Sequence, residues 1–323
     1  MRLDIPEPVS GGIILSYKCT SGCRHCMYAC SPRWSADWMD VKTLEEVLYQ
    51  LRGNIQPGLS INSGLHFTGG EPFLNFDLLL KAVEMAHEIG IPSIFAETSC
   101  YWCDHKNVVK ERFAQLKEAG MEGVLISVNP FILENVPFEK TERAIKVAHE
   151  VFEDKLMIYQ QFYYQLFRQL KVTGTMPFEV LEESIRYAEM IPMGRASYRL
   201  KYLFQQYPSD QFFGQNCKEE LRRQWHVHVD NYCNYIPAYC GGLSLGDARD
   251  LDSILNLDLD DKPVLKALAT DIKELYDMGM EYGYQPLDGY ISRCHLCVDL
   301  RKHLVDKSNF KELNPQEFYR HLE

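Results

Sequence analysis

Cys19, Cys23 and Cys26 follow one another in "CTSGCRHC", a C-x3-C-x2-C run, and Cys30 comes shortly after. Three thiolates on one loop can hold three irons of a [4Fe–4S] cluster and leave the fourth iron without a protein ligand. Zinc competes for such thiols, but a structural zinc takes four ligands and this spacing is not its common pairing. His25 stands between two of the cysteines, where its reach toward the same ion is awkward. The spacing favours iron–sulfur over zinc or metal-free thiols.

A second group lies in the last third of the chain: Cys217, Cys233, Cys240, Cys294 and Cys297. Cys217, Cys240, Cys294 and Cys297 supply four thiolates, a complete ligand set for a further [4Fe–4S] cluster. Zinc remains an alternative there, and so does Cys233 in place of Cys217. Cys100 and Cys103 form a C-x2-C in "SCYWC". With Cys30, they are either thiol donors or redox partners near a cavity, or buried small apolar side chains, the usual state of cysteine outside disulfides.

These residues need elements to position them. Residues 12–200 alternate short apolar runs with longer periodic ones. "GIILSY" reads as a strand that ends at Cys19, and "LHFTGG" as the next. The helix expected over Thr43–Arg52 places Leu44, Val47, Leu48 and Leu51 on one face. "PSIFAETS", "GVLISVN", "LMIYQQ" and "SYRLKYLF" continue the strands. Gly90 and Gly120 close two of the intervening helices, and "PFEVLEESIRYAEMI" is expected as another. Connections this short imply parallel neighbours joined by crossover helices. The fold class expected is α/β, a partial (β/α)6 TIM barrel over residues 1–210. A doubly wound sheet is the alternative, but polar residues recur at strand C-termini, where α/β barrels place their chemistry. Residues 211–323 are expected to form a smaller auxiliary-cluster domain. There "WHVHVDNYCNYIPAYC" reads as a β-hairpin around Asp230-Asn231, with a helix near Asp261–Met278.

Composition sets the wider limits. With 46% hydrophobic and 24% charged residues, the chain reads as a folded protein of about two domains. A net charge of −11 argues against a general nucleic-acid surface. The first 18 residues contain Arg2, Asp4 and Glu7, so no signal peptide is evident. No apolar run reaches the roughly 18 residues of a membrane helix. A cytoplasmic location is expected, where eleven reduced cysteines suit metal binding or catalysis.

The C-x3-C-x2-C run, followed one strand–helix unit later by "FTGGEP", resembles the radical SAM superfamily over residues 12–200. In that family the glycine-rich stretch, here Gly69, Gly70, Glu71 and Pro72, receives the methionine ammonium of S-adenosylmethionine (SAM). Glycines let backbone approach a ligand closely, and Glu71 can supply compensating charge. The resemblance implies that the methionine end of SAM chelates the open iron and that a cluster electron cleaves the sulfonium. The 5′-deoxyadenosyl radical so formed takes hydrogen from a substrate. It further implies ribose contacts from Glu97 and Ser99 in "ETS". Ser127 and Asn129 in "SVN" would meet ribose or carboxylate, and Arg195 the SAM carboxylate or a substrate anion. An external reductant such as flavodoxin or ferredoxin is implied as partner.

The C-terminal cysteines resemble the short auxiliary-cluster domain called twitch more than the longer SPASM domain, which holds two clusters with seven or more cysteines. Cys233 stands near a position where relatives carry glycine. Beyond the cysteines, Tyr159 and Gln161 are candidate catalytic residues, since "MIYQQFYYQLF" would line the cavity after the fifth strand. The leading expectation is hydrogen abstraction from a small molecule, completed as a dehydrogenation with the auxiliary cluster accepting an electron. The alternative is a peptide-modifying enzyme forming thioether or carbon–carbon links in a ribosomal peptide. A non-catalytic iron–sulfur carrier has no need of the GGEP stretch. HExxH, P-loop and GxGxxG motifs are absent.

Overall fold

A computed structural model describes residues 1–323, which divide into two units. β1 (Arg2–Asp4) belongs to the second unit. The first unit comprises Val9–Cys23 and Cys30–Met190. Its core is a parallel sheet of β2 (Ser10–Ile14), β3 (Gly64–Thr68), β4 (Ile94–Thr98), β5 (Gly123–Ser127) and β6 (Leu156–Tyr159). Each strand pairs with its successor. The register aligns Ile14 with Thr68, Phe67 with Ala96, Glu97 with Leu125 and Ser127 with Tyr159. A consecutive order has no reversal point of the doubly wound kind and is that of a barrel wall.

The crossover helices form where the periodicity puts them. The helix Val41–Leu51 buries Leu44, Val47, Leu48 and Leu51. Asp40 caps it, accepting a hydrogen bond from Thr43 N. Phe76–Glu88 and Lys106–Glu118 end at Gly90 and Gly120, whose φ values of +82° and +110° suit a residue without Cβ. "PFEVLEESIRYAEMI" is broken: Phe178–Leu181 is α-helical and Glu182–Tyr187 a 3-10 turn.

The second unit comprises Met1–Pro8, Arg24–Ala29 and Ile191–Glu323. The expected sixth strand, "SYRLKYLF", does not form. Ala196–Arg199 is a helical turn and Lys201–Leu203 a 3-10 turn. Alternation over so few residues does not fix a strand, and here local bonds win. Tyr198 N and Arg199 N both donate to the Arg195 carbonyl, at 3.0 and 2.9 Å. The α/β class and partial-barrel order stand, with five parallel strands in the first unit. β7 (Val227–Asp230) and β8 (Tyr235–Ile236) form the expected hairpin, with His228 opposite Ile236. β9 (Asn256–Asp258) pairs antiparallel with β1.

The single helix expected near Asp261–Met278 is two, Pro263–Thr270 and Ile272–Glu281. Asp271 leaves helical geometry between them and caps the second through Lys273 N. A further helix, Arg293–Leu304, carries Cys294 and Cys297. No helix is long and apolar enough to cross a membrane.

Candidate functional site

β2 delivers the chain to Cys19, and Cys23 follows in the same unit. The buried Cys23 thiol donates to the Phe131 carbonyl at 3.4 Å. Cys26, three residues on, belongs to the second unit, where its carbonyl accepts from Arg195 N at 3.1 Å and Ala29 N at 3.3 Å. The glycines after β3 press against this loop. A Cβ on Gly70 would stand 1.9 Å from the Lys18 carbonyl oxygen and 2.9 Å from Cys19 N. Gly70 N donates to Ser16 O at 2.8 Å and Glu71 N to Lys18 O at 3.1 Å. The close backbone approach required of these glycines is thus to the cysteine loop itself.

Glu71 is buried and accepts four hydrogen bonds. They come from Ser99 N (2.9 Å), Ser99 Oγ (2.6 Å), Thr98 Oγ1 (2.9 Å) and Phe73 N (3.4 Å). Burial pushes its pKa up against the pull of those donors. It ties the glycine loop to the tip of β4, and Phe73 stacks on Trp102 at 4.4 Å between ring centroids. Pro72 is buried at the start of the turn that follows.

Glu97 faces Thr68, which donates to it at 2.6 Å, and His66 Nε2 lies 3.7 Å away. Desolvation raises its pKa to about 7, opposed by the Thr68 hydrogen bond and reinforced by the nearby Glu71 carboxylate. A carboxyl whose folded pKa lies above its unfolded value loses stability as pH climbs from about 4.5 towards 7. Glu97→Gln should therefore raise the melting temperature at pH 8 and give little change at pH 4. The side chain is 25% exposed, so the gain should be about 1 kcal/mol, about 2–4 °C. An equal gain at both pH values, read by differential scanning calorimetry, would reject the titration account.

Ser127 ends β5 half-buried, opposite the half-buried Tyr159 on β6. Asn129 is buried, and its side-chain oxygen accepts from Ile132 N at 3.0 Å. Gln161 is exposed at the start of the helix Gln161–Gln169. Arg195 is buried, and its guanidinium donates to the carbonyls of Ala29 (2.6 Å) and His321 (3.0 Å). Cys30, Cys100 and Cys103 are buried. Cys103 N donates to the Cys100 carbonyl at 3.1 Å, and burial together with the neighbouring Cys103 thiol raises the Cys100 pKa well above the usual thiol range.

In the second unit Cys217, Cys240, Cys294 and Cys297 line one cavity of about 170 Å³. Cys217 starts the turn Lys218–Leu221 and donates its N–H to Leu268 O at 2.7 Å. Cys240 follows the hairpin, where its N–H donates to Pro237 O at 3.0 Å. Cys294 and Cys297 occupy the first turns of Arg293–Leu304, on one face because they are three positions apart. Ser292 caps that helix through His295 N at 3.0 Å. Burial raises the Cys240 pKa to about 12 and the Cys294 pKa to about 11, with neighbouring thiols adding to the shift. Cys233 does not line this cavity. It sits in the hairpin turn with φ +65°, its N–H donating to Asp230 O at 2.9 Å.

Residues 13–159 match the radical SAM superfamily. This part of the chain is similar to a radical SAM domain. No curated protein matches the chain. Among solved structures it is similar to native anSMEcpe with bound AdoMet (12% identity, TM-score 0.48, 93% of this chain and 97% of that one). It is also similar to BtrN in complex with AdoMet and 2-DOIA (13%, 0.47, 82% and 88%). A third is Streptococcus suis SuiB bound to its precursor peptide SuiA (14%, 0.37, 82% and 67%). Radical SAM domains work with a [4Fe–4S] cluster and SAM, and they belong to radical-mediated enzymes.

The donor set of this stretch fits the cluster: three thiols in the superfamily spacing, on a loop that the Gly70 backbone packs against too closely for any Cβ. Four thiols converging on one cavity likewise make the donor set of a cubane cluster. Two cavity residues escaped the sequence reading. Arg293 donates to Asn216 O and to Glu220 at 2.6 Å, and Arg301 is buried. Their spacing from the cysteines was the available signal, since Arg301 is one helical turn beyond Cys297. Gly242–Gly246 reads G-x-S-x-G, but Ser244 is buried in a loop and donates to Gly246 O at 3.2 Å, not on a strand-to-helix turn.

Proposed function

We propose that this protein abstracts a hydrogen atom from a small-molecule substrate and completes a dehydrogenation, a base taking the second hydrogen as a proton and a second [4Fe–4S] cluster on Cys217, Cys240, Cys294 and Cys297 accepting the remaining electron. The observation that carries this reading is the shared cavity of those four thiols. Four sulfur ligands satisfy every iron of a cubane, so the group suits passing an electron better than binding a substrate atom. The first cluster would be held by Cys19, Cys23 and Cys26. With SAM, it supplies one-electron cleavage of the sulfonium and hydrogen-atom abstraction.

The chain's own part is positioning. Gly69 and Gly70 bring the GGEP backbone against the cysteine loop, and Glu71 fixes it to Ser99 and Thr98 on the neighbouring strand end. Glu97 and Ser127 are partly open at strand C-termini, and we assign them to the ribose of SAM, while Ser99 and Asn129 act by holding those tips. The domain boundary near residue 210 and an external flavodoxin- or ferredoxin-type reductant belong to the same proposal, as does a cytoplasmic setting.

Anaerobically reconstituted protein should hold about eight irons, four per cluster. Cys297→Ala should lower the count to about four and still release 5′-deoxyadenosine with dithionite and SAM, because its site lies outside the radical SAM domain. Stoichiometric zinc in place of iron would overturn the assignment. Loss of SAM cleavage in Cys297→Ala with the first cluster intact would overturn the separation of roles, and a peptide as the molecule dehydrogenated would overturn the substrate class.

A further inference from the structure

We propose that Arg301 sets the reduction potential of the group held by Cys217, Cys240, Cys294 and Cys297, making it a better electron acceptor. This rests on the reading of those thiols as cluster ligands. Arg301 lies seven residues after Cys294 and four after Cys297, so one face of the helix Arg293–Leu304 carries all three. It is 4% exposed and lines the same cavity. Its Nη1 donates to the Gly241 carbonyl at 3.0 Å and to Tyr319 Oη at 3.1 Å. Tyr319 Oη in turn donates to the Gly242 carbonyl at 2.5 Å. The guanidinium is thereby pinned to the segment that follows Cys240, while its Nε is buried with no partner.

That arrangement leaves a positive charge without a carboxylate to balance it. The contrast is Arg293, whose Nη2 pairs with Glu220 at 2.6 Å. A cubane on four thiolates is an anion, and reduction makes it more negative. A nearby buried cation stabilises the reduced form more than the oxidised form, and hydrogen bonds to the sulfurs act in the same direction. The potential of the group is therefore shifted upward, as an acceptor requires. Arg301 is a positioning residue for charge and takes no part in bond making.

The test uses full-length protein carrying Cys19→Ala, Cys23→Ala and Cys26→Ala, so that only the second group remains. About four irons in this parent establish the cluster. Their absence would sink the reading of the thiols, separately from the role of Arg301. A spectroelectrochemical titration then compares the parent with Arg301→Gln, Arg301→Met and Arg301→Lys. The two neutral variants should lower the reduced-to-oxidised ratio at fixed potential roughly tenfold, about 59 mV for one electron, with Lys recovering most of it. Either neutral variant that holds four irons suffices for the comparison. Equal midpoints in the parent and that variant overturn the proposal. So does loss of iron from all three folded variants, because Arg301 would then serve assembly and not potential.

Discussion

Cys23→Ala should give a folded protein that releases no 5′-deoxyadenosine above the uncatalysed background when incubated anaerobically with dithionite and SAM. Two thiolates cannot hold a cubane in the place of three, and the cluster is the source of the electron. The loss should not come from unfolding. The Cys23 thiol is small and buried, and it donates a weak thiol hydrogen bond to the Phe131 carbonyl at 3.4 Å. Removing it should cost about 1–2 kcal/mol, within what a domain of this size tolerates. Iron should fall from about eight to about four, the remainder held by Cys217, Cys240, Cys294 and Cys297. Circular dichroism would check the fold, and chromatography the products. SAM cleavage at the unmodified rate would end the radical assignment of this loop.

The barrel wall was legible because its signals are local and agree with one another. Leu44, Val47, Leu48 and Leu51 recur at helical spacing and are the residues buried by Val41–Leu51. Gly90 and Gly120 mark helix ends where a positive φ is required. "SYRLKYLF" failed for the opposite reason. Its alternation is short, and the Arg195 carbonyl captures two following N–H groups into a turn. The helix Arg293–Leu304 was hidden by burial of polar residues. His295, Asp299 and Arg301 are buried alongside Leu296, Val298 and Leu300, so polarity no longer separates an inner from an outer face. No local pattern therefore marks the capped helix that carries Cys294 and Cys297. Glu71 shows a further limit. Sequence marks it as a charge for a ligand, but only the folded chain shows its oxygens bonded to Thr98, Ser99 and Phe73.

Gly70→Ala should cost the first cluster as completely as the loss of Cys23, though the variant removes no ligand. The added Cβ would lie 1.9 Å from the Lys18 carbonyl oxygen, 2.3 Å from its carbon and 2.9 Å from Cys19 N. All three are backbone atoms, so relief requires moving one strand end away from the other. Two hydrogen bonds oppose that motion, Gly70 N to Ser16 O at 2.8 Å and Glu71 N to Lys18 O at 3.1 Å. Losing both and displacing Cys19 should cost about 3 kcal/mol or more, at the upper end of overpacking effects. Cys19 N would also leave the Ser31 carbonyl, now 3.2 Å away.

Reconstituted Gly70→Ala should hold about four irons, on the second group alone, and should neither bind nor cleave SAM. Gly22→Ala is the control within the same loop, since its Cβ would meet nothing within 4 Å. That variant should keep about eight irons and near-normal SAM cleavage. If Gly70→Ala keeps both, the packing of the GGEP loop on Lys18 and Cys19 is not what holds the site together; if Gly22→Ala loses them, the loop depends on chain flexibility at Gly22.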